Sequence, residues 1–176
     1  MGFLRCAVYA AVIGCLSFLL GRIIPGSWFQ PDQFPFRCMR WEQGGSFYNR
    51  VFKIRRWQAK VPDMSKILPG MMPAKKITSD FQGNLPRMIV ETCIAEWIHV
   101  LLCLLSFPCL WLWPGAGGAV FMALYILIGN LPFILIQRYN RPRLVSLQNR
   151  MMRNRSRKES DTNGYTYLKL QHGAGA

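Results

Sequence analysis

Two carboxylates and an imidazole lie at the start of a long apolar segment. Glu91, Glu96 and His99 are followed by a stretch that carries no charge as far as Gly118. Ionisable side chains are costly to take out of water, so a membrane helix seldom keeps them without a function. At about 100° per residue, His99 projects between the two carboxylates, and Glu96 lies one turn from it. This spacing predicts a catalytic group in which His99 is the general base and Glu96 orients it. Glu91 would hold a sugar hydroxyl or form a salt bridge; the alternative for all three is a buried ion network with arginines.

A second cluster follows the last apolar segment. It is the string Gln137-Arg-Tyr-Asn-Arg-Pro-Arg143. Guanidinium groups bind phosphate or carboxylate through pairs of parallel hydrogen bonds, and three of them lie within six residues here. We predict that this segment binds the phosphates of a donor such as acyl-CoA or acyl carrier protein, with no other cofactor. The alternative is a plain charged flank that stops transfer of the helix. The predicted substrate-binding residues of this cluster are Arg138, Tyr139, Asn140, Arg141 and Arg143.

Three elements must position these side chains. The chain has 176 residues, a net charge of +14 and 51% hydrophobic residues. A soluble protein this basic would suggest a nucleic-acid partner, but the apolar residues come in blocks and argue against one. Each block approaches the ~20 residues that cross a bilayer. The sequence therefore predicts an all-α, small polytopic membrane protein with an uncleaved first helix, and transmembrane helices at about 5–24, 93–113 and 116–137.

The distribution of Lys and Arg predicts the orientation of these helices. The segment 22–87 holds 12 basic residues, the segment after Gln137 holds 9, and the hairpin 114–118 holds none. Basic segments stay on the cytoplasmic side. We therefore expect a multi-pass protein of the cell membrane, with its N-terminus outside and its C-terminus in the cytoplasm.

The remaining segments lie at the membrane surface or beyond it. Residues 25–45 are predicted to form an irregular interfacial loop, and residues at about 47–60 an aromatic and basic interfacial helix. In that helix Arg55, Arg56 and Trp57 are candidate substrate contacts, with a plain anchoring role as the alternative. Residues 61–83 should form a loop or lid. Residues 1–150 form one membrane domain, and 151–176 a basic, flexible tail.

Two polar features inside the apolar segments are weighed separately. Asn130 lies near the middle of the third helix, where it is either a substrate contact or a hydrogen-bonding partner between helices. The six cysteines form no Cys-x-x-Cys pair, and we interpret them as small packing residues rather than metal ligands.

Three segments, in this order, resemble the glycosyl-4,4'-diaponeurosporenoate acyltransferase family: 47–63, 91–99 and 129–144. The string Gln-Arg-Tyr-Asn-Arg-Pro-Arg-Leu at 137–144 is the most specific of them. The resemblance implies transfer of a fatty acyl group to the primary hydroxyl of a glucose on a carotenoid glycoside, among membrane lipids. The positions that match the family are Glu91, Glu96, His99, Asn130, Arg138, Tyr139, Asn140, Arg141 and Arg143.

Other functions fit the same residues. A different glycolipid could be the acceptor. A lipid-ester hydrolase would use the same base to activate water, and a non-catalytic subunit would dock a soluble biosynthetic enzyme through its basic face. A homo-oligomer would help to enclose a site built from three helices.

Overall fold

The computed structural model describes residues 1–61 and 81–173, and every regular element in those ranges is helical. Helix α1 is Gly2–Ile23, α2 is Ser46–Phe52, α3 is Ile54–Trp57, α4 is Phe81–Leu104, α5 is Cys109–Leu112, α6 is Ala116–Leu124 and α7 is Leu131–Gly173. Short 3₁₀ turns cover Gly26–Trp28, Arg40–Gly45 and Gln58–Lys60, and a π-helix covers Tyr125–Asn130. The loop or lid predicted over 61–83 falls largely outside the described residues.

The prediction of an all-α protein with three membrane-spanning helices is confirmed. Within the described ranges, three helical stretches are long and apolar enough to cross a bilayer: Gly2–Ile23, Gly83–Leu112 and Ala116–Arg157. Many of their large apolar side chains face outward, among them Leu16, Leu104 and Ile128, each at least 60% exposed. Such surfaces are unstable in water and suit a lipid environment.

Helix α4 runs antiparallel to α1 and to the third span, whereas α1 and the third span run in the same direction. The start of α1 packs on the hairpin after α4, since the Phe3 ring lies 6.4 Å from Trp113 and 5.8 Å from Phe121. The end of α1 packs on the middle of α4, where Gly21 faces Ile98. The first part of α7 packs on α4, from Phe133 against His99 to Arg141 against Thr92, and this is the most extensive interface among the described helices.

The predicted interfacial helix at 47–60 is not continuous. Lys53 adopts the left-handed conformation, with φ of 51°, and separates α2 from α3. The break is held by hydrogen bonds that bypass it: the Arg55 amide donates to Asn49 Oδ1 at 3.1 Å, and the Trp57 indole donates to the Phe52 carbonyl at 2.8 Å. The turn buries Ile54 completely.

The C-terminal segment also differs from the prediction. Helix α7 continues to Gly173, where the sequence predicted a flexible tail from residue 151. The tail contains many residues that favour helices, and Arg155 Nε donates to Glu159 at 3.0 Å, one helical turn away. Exposed pairs at this spacing add roughly 0.2–0.5 kcal/mol to helix stability.

Candidate active site

A buried carboxylate joins α4 to α7. Glu96 is 5% exposed. Its Oε1 accepts a hydrogen bond from Arg138 Nε at 2.6 Å, and its Oε2 accepts one from Arg141 Nη2. Both arginines come from the second cluster predicted from the sequence, so the structure brings the two clusters together.

A second carboxylate completes this ion network. Glu42, at 1% exposed, accepts hydrogen bonds from Arg138 Nη1 at 3.3 Å, from the Met39 amide at 2.5 Å and from the Tyr48 hydroxyl. The two carboxylates and the two guanidinium groups carry equal and opposite charge. The network therefore avoids the large cost of an uncompensated buried charge. Burial, and then the hydrogen bond to Glu42, raise the pKa of Tyr48, so its hydroxyl keeps the proton that it donates.

The remaining donors of both guanidinium groups are also used inside the protein. Arg138 Nη2 donates to the Pro35 carbonyl at 2.6 Å, and Arg141 Nη1 donates to the Phe36 carbonyl at 2.9 Å. Arg141 also donates to the hydroxyl and the carbonyl of Thr92, each at 2.9 Å. Arg138 and Arg141 therefore clamp the 35–42 loop onto α4 and α7, and few of their donors are left for a ligand.

The spacing along α4 suggested that His99 pairs with Glu96, but the structure does not pair them. His99 Nδ1 lies 3.0 Å from Asn130 Oδ1, and the imidazole ring stacks on Phe133 with centroids 4.6 Å apart and planes 8° apart. The reason is that the two arginines occupy both oxygens of Glu96, while the ring turns toward α7. The residue that orients His99 is therefore Asn130.

The hydrogen bonds of Asn130 fix the imidazole tautomer. Its Nδ2 donates to the Tyr125 carbonyl at 3.0 Å, a partner that can only accept, so its Oδ1 must face His99. That oxygen accepts, so His99 Nδ1 carries the proton and Nε2 carries the lone pair. Asn130 is 2% exposed, and the π-helix that ends at Asn130 begins at Tyr125. Single π-turns of this kind are frequent at functional sites.

The other ring nitrogen has no partner among the described residues. His99 Nε2 makes no hydrogen bond within these ranges, and the residue is partly exposed. An imidazole held in this tautomer with an open Nε2 can accept a proton from a bound hydroxyl.

An open cleft of about 730 Å³ lies on the other side of the ion network, between α4 and α7. Two predicted binding residues, Asn140 and Arg143, line it. Arg143 also donates to the hydroxyl of the buried Tyr139, and its guanidinium lies 4.7 Å above that ring. The other lining residues are Gly44, Met88, Thr92, Gln137, Pro142, Leu144, Ser146, Leu147 and Arg150.

Several predicted site residues lie outside these groups. Glu91 is 36% exposed and pairs with Arg87 at 3.1 Å on the outer face of α4. Arg55 and Arg56 are exposed on α3. Trp57 packs against the apolar cluster around Tyr139, next to the ion network but not in it.

Sequence reasoning missed Glu42, Tyr48 and Thr92, which all belong to the network or contact it. A signal for Glu42 was present, because the chain has 8 acidic residues against 22 basic ones. An isolated acid in an aromatic and basic loop has many potential cationic partners. Nothing in the local pattern distinguishes Thr92 or Tyr48.

Comparison with known proteins gives a consistent result. The family model described as glycosyl-4,4'-diaponeurosporenoate acyltransferase matches residues 25–150. A protein of that name from Staphylococcus aureus strain MRSA252 is 30% identical over 143 residues, which cover 81% of this chain and 85% of that protein. Its counterpart from strain N315 is 29% identical over 143 residues. No solved structure matches the chain significantly. The matched range contains the ion network, the His99–Asn130 pair and the cleft, and it leaves α1 outside.

Proposed function

Because this chain belongs to the glycosyl-4,4'-diaponeurosporenoate acyltransferase family, we propose that it acylates a sugar hydroxyl of a glycosylated carotenoid, with His99 as the general base. Family membership carries the reaction class, which is acyl transfer. The observation that carries the residue assignment is the hydrogen bond between His99 Nδ1 and Asn130 Oδ1, which leaves Nε2 able to accept a proton.

The proposed reaction balances without a further cofactor. His99 Nε2 takes the proton of the sugar hydroxyl as the oxygen attacks the thioester carbonyl of the acyl donor. The carbon–sulfur bond breaks, an ester forms, and the thiolate leaves. The imidazolium returns the proton to the sulfur, so the product is a thiol and the histidine is neutral again. Asn130 accepts from Nδ1 throughout and stabilises the imidazolium that forms.

The surroundings of His99 suit an acceptor with a long apolar part. Val100 and Leu104 on the same helix, and Leu127 and Ile128 beside Asn130, are all exposed. A carotenoid chain can remain among lipid tails against these surfaces while its sugar reaches the imidazole. Another glycolipid would meet the same surfaces, so the acceptor has to be identified from the product.

The arginine cluster and α3 have secondary roles in this proposal. Arg138 and Arg141 hold the site together through Glu96, whereas Asn140 and Arg143 face the cleft and are available to a ligand. Arg55, Arg56 and Trp57 lie at the expected membrane surface, where the basic pair would contact lipid phosphates.

The decisive experiment compares His99→Ala with wild type in cells or nanodiscs supplied with a glycosylated carotenoid and a labelled acyl donor. Removal of a general base lowers the rate by about 10²–10⁴-fold, so the labelled ester should fall to near background. His172→Ala removes the only other histidine of the chain and should retain wild-type activity. Normal ester formation by folded His99→Ala would contradict the proposed base. Free fatty acid in place of an ester would support the hydrolase alternative.

An Asn130 variant tests the orienting role separately. We expect Asn130→Ala to lower kcat about tenfold and to change the acceptor KM less than twofold, because the base is retained but is no longer held. A rise in the acceptor KM as large as the fall in kcat would indicate a general structural defect instead.

A further inference from the structure

We propose that the cleft between α4 and α7 binds the phosphates of a coenzyme A thioester through Arg143 and Arg150. The inference rests on the proposed acyl transfer, because it names the donor and the place where the donor is held. Arg150 is the last residue of the range that the family model matches, and it is identified as a ligand by its position on the wall of the cleft.

Charge distinguishes these two arginines from their neighbours on α7. Arg138 and Arg141 are neutralised by Glu42 and Glu96. Arg143 contacts Tyr139, which carries no charge, and Arg150 has no acidic partner among the described residues. No acidic side chain lines the cleft within the described part of the chain. The cleft therefore presents two uncompensated positive charges to a ligand.

The spacing of the two guanidinium groups suits more than one phosphate. Arg143 and Arg150 are seven residues apart on one helix, so they share a face and are separated by about 10 Å along its axis. Coenzyme A carries a diphosphate and a separate 3′-phosphate, which two forks at this spacing can bind individually. The polar wall residues Gln137, Asn140 and Ser146 add hydrogen-bonding groups, and Leu144 and Leu147 offer an apolar surface to the base.

The cleft also lies at a suitable distance from the proposed base. Arg143 follows Phe133, which stacks on His99, by ten residues, or about 15 Å of helix. That equals four to five residues of extended chain. The pantetheine arm of coenzyme A has two amide units and a comparable length, so it is long enough to span the distance from the cleft to His99.

The phosphate of an anionic lipid offers the same chemistry, and the experiment separates the two sources. Full-length protein is placed in nanodiscs of zwitterionic lipid, and binding of coenzyme A and of dephospho-coenzyme A is measured by calorimetry. Arg143→Ala and Arg150→Ala are compared with Arg155→Ala. Arg155 is on the same helix, does not line the cleft and is 81% exposed in its pair with Glu159.

We expect both cleft variants to bind coenzyme A at least tenfold more weakly, and Arg155→Ala to change binding less than twofold. Wild type should prefer coenzyme A to dephospho-coenzyme A, and one of the two cleft variants should lose that preference. Unchanged binding in both cleft variants, or an equal loss in Arg155→Ala, would overturn the proposal. So would wild type that binds no coenzyme A but retains phosphatidylglycerol in a manner that depends on Arg150.

The proposed binding site and the proposed reaction can be contradicted separately. Arginine-dependent binding of coenzyme A without formation of an ester would support this site and contradict the proposed acceptor. Formation of the ester by wild type, together with an unchanged donor KM in both cleft variants, would support the proposed function and contradict this site.

Discussion

Two glutamates on one helix, five residues apart, have opposite environments. Glu96 is buried between two guanidinium groups that contact both of its oxygens, whereas Glu91 makes one exposed contact with Arg87 one turn away. Removing one member of a buried ion network leaves the partner charge uncompensated and typically costs 3–5 kcal/mol. An exposed pair at this spacing contributes about 0.3–0.5 kcal/mol.

The same substitution at both positions should therefore separate them. We expect Glu96→Gln to lower the free energy of unfolding by about 3 kcal/mol. Glu91→Gln should lower it by ~0.5 kcal/mol or less. Denaturant unfolding in micelles measures both values. Equal stability of the two variants would show that Glu96 is not a structural member of the network. Loss of stability alone would also lower the activity of Glu96→Gln. The catalytic role is therefore tested with the His99 variant.

At the residue scale, the predicted site residues of α4 and α7 face each other across one interface, but the predicted pairing is wrong. Arg138 donates to Glu96, and His99 pairs with Asn130. Helical spacing indicated that Glu96 and His99 could touch, but spacing along one helix carries no information on the competing helix. The partners on α7 decided the outcome, because two arginines outcompete one imidazole for a carboxylate.

At the scale of elements, the clamped loop depends on one close approach to α7. Gly45 has φ of 88°, and a Cβ added there would lie 2.7 Å from the Tyr139 carbonyl oxygen. The neighbouring Gly44 also has a positive φ, of 64°, but a Cβ added there meets nothing within 4 Å. The loop carries Glu42, so its distance from α7 controls the contact between Glu42 and Arg138.

Alanine at each glycine should distinguish backbone strain from close packing. Gly44→Ala carries only the cost of a left-handed residue, roughly 1–2 kcal/mol. Gly45→Ala carries the same cost and also a clash with backbone, so we expect it to be the less stable variant by a further ~1–3 kcal/mol. Thermal unfolding in detergent ranks them. Equal stability would mean that the loop moves away from α7 without consequence for the fold.

The elements that could be predicted are those that hydropathy alone determines. Long uncharged runs gave three spans, because a bilayer requires about 20 apolar residues whatever the helix contacts. The break at Lys53 could not be predicted, because it depends on two hydrogen bonds, one accepted by the Asn49 side chain and one donated by the Trp57 indole, that form only when the turn is made. Composition likewise cannot reveal the π-helix that begins at Tyr125.

At the scale of the whole molecule, the polar groups between α4 and α7 form successive layers. His99 faces Asn130, then Glu96 faces Arg138, then Thr92 faces Arg141, and the cleft follows. The layers run from the apolar part of the helices toward their basic ends. A lipid-soluble acceptor and a charged donor would therefore reach the site from opposite directions, the first from the bilayer and the second from the aqueous side.

This arrangement gives the predicted orientation a functional consequence. The chain's basic residues other than Arg5 lie from Arg22 to Arg87 or after Gln137, and Arg143 and Arg150 of the second group line the cleft. From the positive-inside rule we expect the end of the bundle that holds the cleft to lie in the cytoplasm, where coenzyme A thioesters are made. Trypsin should therefore remove a C-terminal tag from inside-out vesicles but not from spheroplasts, and an N-terminal tag ahead of Arg5 should show the reverse. Loss of the C-terminal tag from intact spheroplasts would place the cleft outside and separate it from a cytoplasmic donor.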